Sequence, residues 1–447
     1  MARDADGGLI DQRALALTPD HRSLYSGTSM DCYGRYRPYC NLYAGVGHFQ
    51  LKRKNGALRY RDCVTGARVR GCVRAPSGGL GAVWSLAVSP DGAFLYAASY
   101  GTCVFDDDDD GRRCYGSDVL TTFHRDPRTG ALTYDGCVTG DEQLGPGGSG
   151  TCTLTSGATA AGYQSGFDDP STVVLDPEGA SLYLTSETDD SVVAFDRNPG
   201  TGALAYRGCI TGEAASGPSG SGACTAIPSA TDDGENSGLD HAYGLGVSPD
   251  GNSVYVTGEN DASLATFARD PRTSALTYER CVTGKSAVHD SGACAVLPSE
   301  DARSALRQPK SVAISPDGES VYVGASGVVQ FDRSPAAGTL EYVRKYGNAY
   351  SPMVLTNGGN FLYAAVRTGV ARFKRDVDTG RLTRTDCVTG STSYAKSARC
   401  HKTRTATRSG ESSGLYYPVA LAATKRRVYV AARDDYAIAR LAIKRRR

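Results

Sequence analysis

A six-residue phrase returns five times along the chain, as RDCVTG from Arg61, DGCVTG from Asp135, RGCITG from Arg207, ERCVTG from Glu279 and TDCVTG from Thr385. A fixed internal period outranks length as a guide to architecture, because repeats stack into one body. The 447 residues are therefore expected to form a single domain over 1–447 rather than two or three. One full repeat runs from Val83 to Gly140. VWSLAVSPDG is an apolar run ending in a turn, AFLYAAS is a second β-prone run, DVLTTFHRDPRTG alternates and turns again, and ALTYDGCVTG is a fourth. Pro presets φ at the first corner of SPDG, Asp bonds its own backbone, and Gly accepts φ > 0. DPRTG follows the same logic, so each repeat reads as four antiparallel strands.

Four-stranded units repeated in this way predict an all-β propeller, whose radial arrangement leaves only short, protected edges. The fourth-strand leucine recurs at Leu9, Leu58, Leu132, Leu204, Leu276, Leu340 and Leu382. The first turn recurs at Pro19, Pro90, Pro177, Pro249 and Pro316, and in degenerate form around Asn357 and Ala423. Both series predict seven blades. The chain opens on what reads as a fourth strand, GGLIDQ at about residues 7–13, and closes on a third, YAIARLAIK. The N-terminal strand is thus expected to complete the blade formed by about 415–444, a one-plus-three closure.

LAVSPDGAFLYAAS with DVLTTFHRDPRTGALTY, and GLGVSPDGNSVYVTG with LATFARDPRTSALTY, resemble the repeats of seven-bladed propellers of the lactonase and YVTN-repeat superfamily. The likeness covers nearly the whole chain. WD40 repeats fit less well, because no blade has the Gly-His and Trp-Asp pair. The resemblance is specific for fold and poor for function, since such rings include lactone hydrolases, ring-cleaving lyases, surface-layer proteins and binding scaffolds.

The 14 cysteines fall into near neighbours: Cys32 and Cys40, Cys63 and Cys72, Cys103 and Cys114, Cys137 and Cys152, Cys209 and Cys224, Cys281 and Cys294, Cys387 and Cys400. Each loop has two or none, as pairing predicts. Zinc fits badly, for there is no CxxC and almost no accompanying histidine. Seven local disulfides point to an extracellular or periplasmic home, although the start, MARDADGG, shows no apolar signal segment.

In a four-stranded meander the SPDG and DPRTG turns share one face of the ring. Every long insertion falls on the other, including MDCYGRYRPYC and TCVFDDDDDGRRC, so a ligand is expected there. Six residues before each first turn stand Arg13, Trp84, Ser171, Tyr243, Lys310, Ser351 and Tyr417. Of these, Arg13, Trp84, Tyr243, Lys310 and Tyr417 suit an anionic or sugar-like ligand at the channel mouth, by hydrogen bonds and stacking.

Lactonase-like propellers tend to place His, Arg and Glu at this mouth, which makes His241 the candidate base, with Glu187 and Glu259 on the same face. Their Pro-Arg-His stretch is missing here. Asp106, Asp108, Asp110 and Gly111 match the start of a calcium loop, while Ser117 stands where its bidentate Glu belongs. No other cofactor is expected.

The 49 basic and 48 acidic residues leave +1, which argues against nucleic acid as a partner. No apolar run is long enough to span a membrane. The sequence therefore reads as a secreted monomer, a disulfide-stapled binding platform for a small molecule, glycan or protein. An extracellular lactonase-like hydrolase or lyase is the alternative, and a structural cell-envelope protein a second one.

Overall fold

The computed structural model describes residues 11–29, 44–66, 68–76, 78–105, 112–115, 118–347, 350–356 and 358–442. Seven sheets follow one another along the chain. Their first strands are Gln12–Leu17, Ala82–Val88, Pro170–Leu175, Ala242–Val247, Ser311–Ile314, Tyr350–Leu355 and Pro418–Ala423. Each packs beside the first strand of the next sheet, and the last packs beside the first. That closed cycle is a seven-bladed propeller with the first strands around the central channel.

The blades are joined by a recurrent clamp. The second strand of blade 1 (Ser23–Thr28) buries Tyr25, whose hydroxyl donates to the Gly130 carbonyl in blade 2 and accepts from Arg125 Nε. Arg125 also reaches Asp20 in the first turn of blade 1. The same trio recurs as Tyr96, Arg197 and Asp91, Tyr183, Arg269 and Asp176, Tyr255, Arg333 and Asp250, and Tyr322, Arg375 and Asp317. The arginine ends a third strand, so DPRTG and SPDG belong to one device. It links each of blades 1 to 5 to the next.

The blades do not all have four strands. Five sheets have a fifth, paired parallel to the fourth at the outer edge: Val73–Arg74, Thr153–Thr159, Thr225–Thr231, Ala295–Val296 and His401–Thr407. These are the five sheets whose outgoing loop is closed by a described disulfide: Cys63–Cys72, Cys137–Cys152, Cys209–Cys224, Cys281–Cys294 and Cys387–Cys400, each with a Cα separation of 4.6 to 4.8 Å. Blade 5, whose outgoing loop lacks cysteine, stops at four strands. The bridge returns the chain to the open edge of the fourth strand and covers it.

Cys32 and Cys40 lie outside the described residues, as do Asp106, Asp108 and Asp110. Cys103 and Cys114 face each other in the backbone register of a hairpin formed by Thr102–Phe105 and Arg112–Tyr115. We expect Cys209→Ser with Cys224→Ser to cost about 3 kcal/mol at most, the loop-closure entropy of a 15-residue loop. Hydrogen exchange should show protection lost over Thr225–Thr231 and kept in the inner strands.

The stapled loops have a second anchor. Asp189 accepts from the backbone N–H groups of Gln164, Phe167 and Asp168. Asp261 does the same for Asn236, Gly238 and Asp240, and Asp435 for Ser412, Gly414 and Tyr416. Three chain segments rich in Gly and Ser thus gain a fixed shape before each enters a first strand.

The last sheet has three strands among the described residues. Residues 7–10 of the expected closing strand are outside them, while Gln12 and Arg13 belong to the first strand of blade 1 and not to a fourth strand. Described contacts still join the ends. Tyr429 donates to the Gly56 carbonyl, Arg427 and Arg440 donate to the Asn55 carbonyl, and Leu24, Phe49 and Leu51 pack with Ala422 and Tyr429.

Candidate functional site

The residue two positions before Arg13, Ser171, Tyr243 and Lys310 in the chain has a left-handed backbone: φ is 45° at Asp11, 52° at Asp169, 59° at His241 and 53° at Gln308. Asp and His tolerate this region better than most side chains. At His241 it is fixed by the backbone N–H, which donates to Asp190 Oδ1 at 2.6 Å. The carbonyls of Asp11, Asp169 and His241 accept from the N–H groups of Ser29, Glu187 and Glu259. Each loop between second and third strands thereby sets one side chain beside a strand start. This is how Glu187 and Glu259, 72 residues apart in the chain by number, come to the same centre.

His241 stands between them, with Nε2 at 3.4 Å from Glu187 Oε2 and Nδ1 at 3.5 Å from Glu259 Oε2. Lys310 Nζ pairs with Glu259 Oε1 at 2.7 Å and lies 4.9 Å from the Tyr243 ring centre. Trp84 Nε1 donates to the Tyr243 hydroxyl at 3.2 Å, bridging blades 2 and 4. Arg13 stacks on Trp84 at 4.4 Å and is held by Asp11 at 2.8 Å, while Tyr100 meets the indole edge-on. The Trp84–Tyr243 pair forms a bar across the channel. The His241 and Lys310 side chains keep 37% and 40% of their surface in solvent, so they are the members a ligand can reach.

Burial pushes the Glu187 carboxyl up to about 7, against the pull of His241. Burial also acts on Glu259, but its contacts with His241 and Lys310 outweigh it and hold that carboxylate below the usual range. The Glu259 contact, with Glu187 adding to it, raises His241 above an ordinary imidazole. Burial raises Tyr243 as well, so its hydroxyl stays neutral. At neutral pH the centre thus joins an anion fixed by Lys310, an imidazole drawn toward its cation, and a carboxyl poised between two states.

Of the residues proposed from sequence, His241, Glu187, Glu259, Lys310, Tyr243, Trp84 and Arg13 form one connected group. Tyr417 stands apart. The Thr424 N–H bonds the Arg427 carbonyl as the Thr18 N–H bonds that of Ser23, so the seventh turn lies two residues later than the Ala423 reading. Tyr417 is consequently the blade 7 counterpart of His241, with φ at 55°, and packs against Arg433 at 4.3 Å. The sequence reading missed Asp190 and Tyr100. The EN-D and ET-D spacing before each third strand was the available signal for the loop aspartates.

The fold and this centre define a seven-bladed β-propeller with a polar, acid-and-base-bearing channel mouth. The family described as "Lactonase, 7-bladed beta-propeller" matches residues 247–394, about a third of the chain. That stretch includes Glu259 and Lys310 and leaves His241 and Glu187 outside. The family of WD domain, G-beta repeats matches residues 70–105. Among solved structures the chain is similar to a candidate 6-phosphogluconolactonase of Bacteroides uniformis, at 17% identity and TM-score 0.52 over 83% of each chain. It is also similar to the periplasmic gluconolactonase of Pseudomonas aeruginosa, at 15% identity and TM-score 0.50 over 87% of this chain and 86% of that one. At these identities the likeness is one of fold. No curated protein sequence matches the chain, and no described helix is long and apolar enough to cross a membrane.

Proposed function

We propose that the chain is a lactone hydrolase of an oxidising compartment, acting on a small hydroxylated, sugar-derived lactone at the channel mouth. The observation that supports this most is His241 held between Glu187 and Glu259, an acid and a base converging where solvent reaches them. The lactonase match over 247–394 and the two structural relatives lend the substrate class. Five disulfides favour an extracellular or periplasmic location.

In this reading ionised Glu187 takes a proton from water, whose oxygen adds to the lactone carbonyl carbon. Protonated His241 and Lys310 offset charge on the carbonyl oxygen. As the ring C–O bond breaks, His241 gives its proton to the leaving oxygen, and the proton on Glu187 then returns to His241 across their 3.4 Å contact. Water is consumed and a hydroxy acid leaves. Glu259 orients the imidazole, and Lys310 offers a hydrogen-bond donor to the hydroxyls of a sugar-derived ring.

The pH profile follows from the two groups. Activity should rise as Glu187 ionises near pH 7 and fall at higher pH as His241 loses its proton, giving a bell in kcat. Glu187→Gln should abolish turnover, because the amide cannot take a proton from water. A profile flat from pH 5 to about 9 would remove both assignments.

The binding-platform reading has one observation in its favour, the Trp84–Tyr243 hydrogen bond that joins blades 2 and 4 across the channel. It requires ligand binding without turnover, and a lactone panel separates the two.

A further inference from the structure

A second acidic group lies beside this centre, at the junction of blades 2 and 3. Asp118 begins the approach to the third strand of blade 2 (Val119–Arg125), and Asp168 and Asp169 precede the first strand of blade 3. One carboxylate oxygen from each lies within 4.8 Å of the others. Among the described residues no Lys, Arg or His forms an ion pair with any of the three. Charged groups that do act on Asp118 and Asp168 are further carboxylates, Asp141 and Asp189 together with the cluster itself.

Three like charges so close repel strongly, and one of them is out of water. Asp168 is 5% exposed, and its Oδ2 is buried with no hydrogen-bond partner. An unpaired carboxylate oxygen in such a place is costly, because it has lost its water and gained no donor. The remaining contacts look like the outer support of a cation site. The Gly101 N–H donates to Asp118 Oδ1 at 3.0 Å, the Thr188 hydroxyl donates to Asp169 Oδ2 at 2.7 Å, and the Asp168 N–H is fixed by Asp189. Such contacts orient ligating carboxylates.

We propose that Asp118, Asp168 and Asp169 bind a divalent cation, calcium, between blades 2 and 3. The donor set is all hard oxygen, as calcium prefers. Calcium–oxygen distances of about 2.3 to 2.6 Å put opposed ligand atoms roughly 5 Å apart at most, a limit that the mutual separations here, all within 4.8 Å, respect. The three carboxylates offer three converging oxygens, and water would complete calcium's range of about 6 to 8 in a geometry it tolerates more readily than magnesium. The cation would tie the loop ahead of blade 3 to blade 2. Its bearing on the mouth is direct, because the Asp169 carbonyl accepts from the Glu187 N–H.

The rival arrangement is a proton shared between Asp118 and Asp168, since burial first, and then the charge of Asp169 on Asp118 and of Asp118 on Asp168, raise the two carboxyls to about 7 and about 9. Isothermal titration calorimetry of chelator-treated protein with calcium chloride separates the two, and its readout does not depend on lactone turnover. Wild type should show a saturable site and a calcium-dependent rise in Tm. Asp168→Asn should weaken calcium roughly tenfold or more and, without calcium, melt no lower than wild type because one like charge is gone. Asp108→Ala, in the acidic loop 106–111, should keep the wild-type isotherm. Absence of calcium heat in wild type, or an unchanged isotherm in Asp168→Asn, overturns the proposal. Loss of the site in Asp108→Ala with retention in Asp168→Asn would also overturn it, in favour of that loop.

Discussion

His241→Ala is expected to lower lactone turnover by roughly 10²-fold or more, the usual contribution of a positioned acid or base. The loss should fall on kcat rather than KM, because the proton of His241 is given to the leaving oxygen only as the ring C–O bond breaks. Alanine fits a left-handed backbone poorly, so a structural cause has to be separated from a chemical one. His241→Asn does this, since Asn accepts φ near 59° more readily and has no proton to transfer in this range. Both variants should be equally inactive, and the Asn variant should melt close to wild type. Full activity in either would remove His241 from the chemistry.

Arg269→Met should cost about 3 to 5 kcal/mol of stability. The Arg269 and Asp176 side chains are each 1% exposed and 2.7 Å apart, so removal of the cation leaves a buried charge without a partner. Arg269 also donates to the Tyr183 hydroxyl, the Gly251 carbonyl and Ser181, which ties blade 3 to blade 4. Urea unfolding is the check. Arg272→Ala, which removes an 89% exposed partner of Asp270, should change stability by no more than about 0.5 kcal/mol. Equal effects in the two variants would mean that the clamp does not hold the blades.

The seven-bladed ring was legible because turn chemistry is local. Pro, Asp and Gly in SPDG and DPRTG dictate their bends wherever they occur, and a count of them gives the blades. Cysteine pairing was legible for the same reason, since each described bridge closes within one loop. The purpose of the bridges was not. Thr225–Thr231 reads as loop because its pairing with Leu204–Glu213 is parallel and outermost, and only the Cys209–Cys224 closure brings it there. The clamp was hidden too, because Arg269 and Asp176 are 93 residues apart and nothing in either turn states that they meet.

At the mouth, residue types were readable and register was less so. His241, Glu187 and Glu259 could be named from their places ahead of a first strand and in the loops after second strands, but their convergence depends on left-handed starts at Asp169 and His241. In blade 7 the turn has no proline, and the count slipped by two residues to Tyr417. The trio Asp118, Asp168 and Asp169 has no spacing to reveal it, for its members come from two blades.

The most direct test of the account is hydrolysis of a sugar δ-lactone by purified, disulfide-intact protein, followed by proton release against a buffer blank. The account predicts turnover well above the blank in wild type, with a bell-shaped pH dependence, and a rate at the blank in Glu187→Gln. Wild type and Glu187→Gln indistinguishable from buffer across a panel of sugar and aromatic lactones would contradict it, and would leave the channel mouth as a surface that binds without reacting.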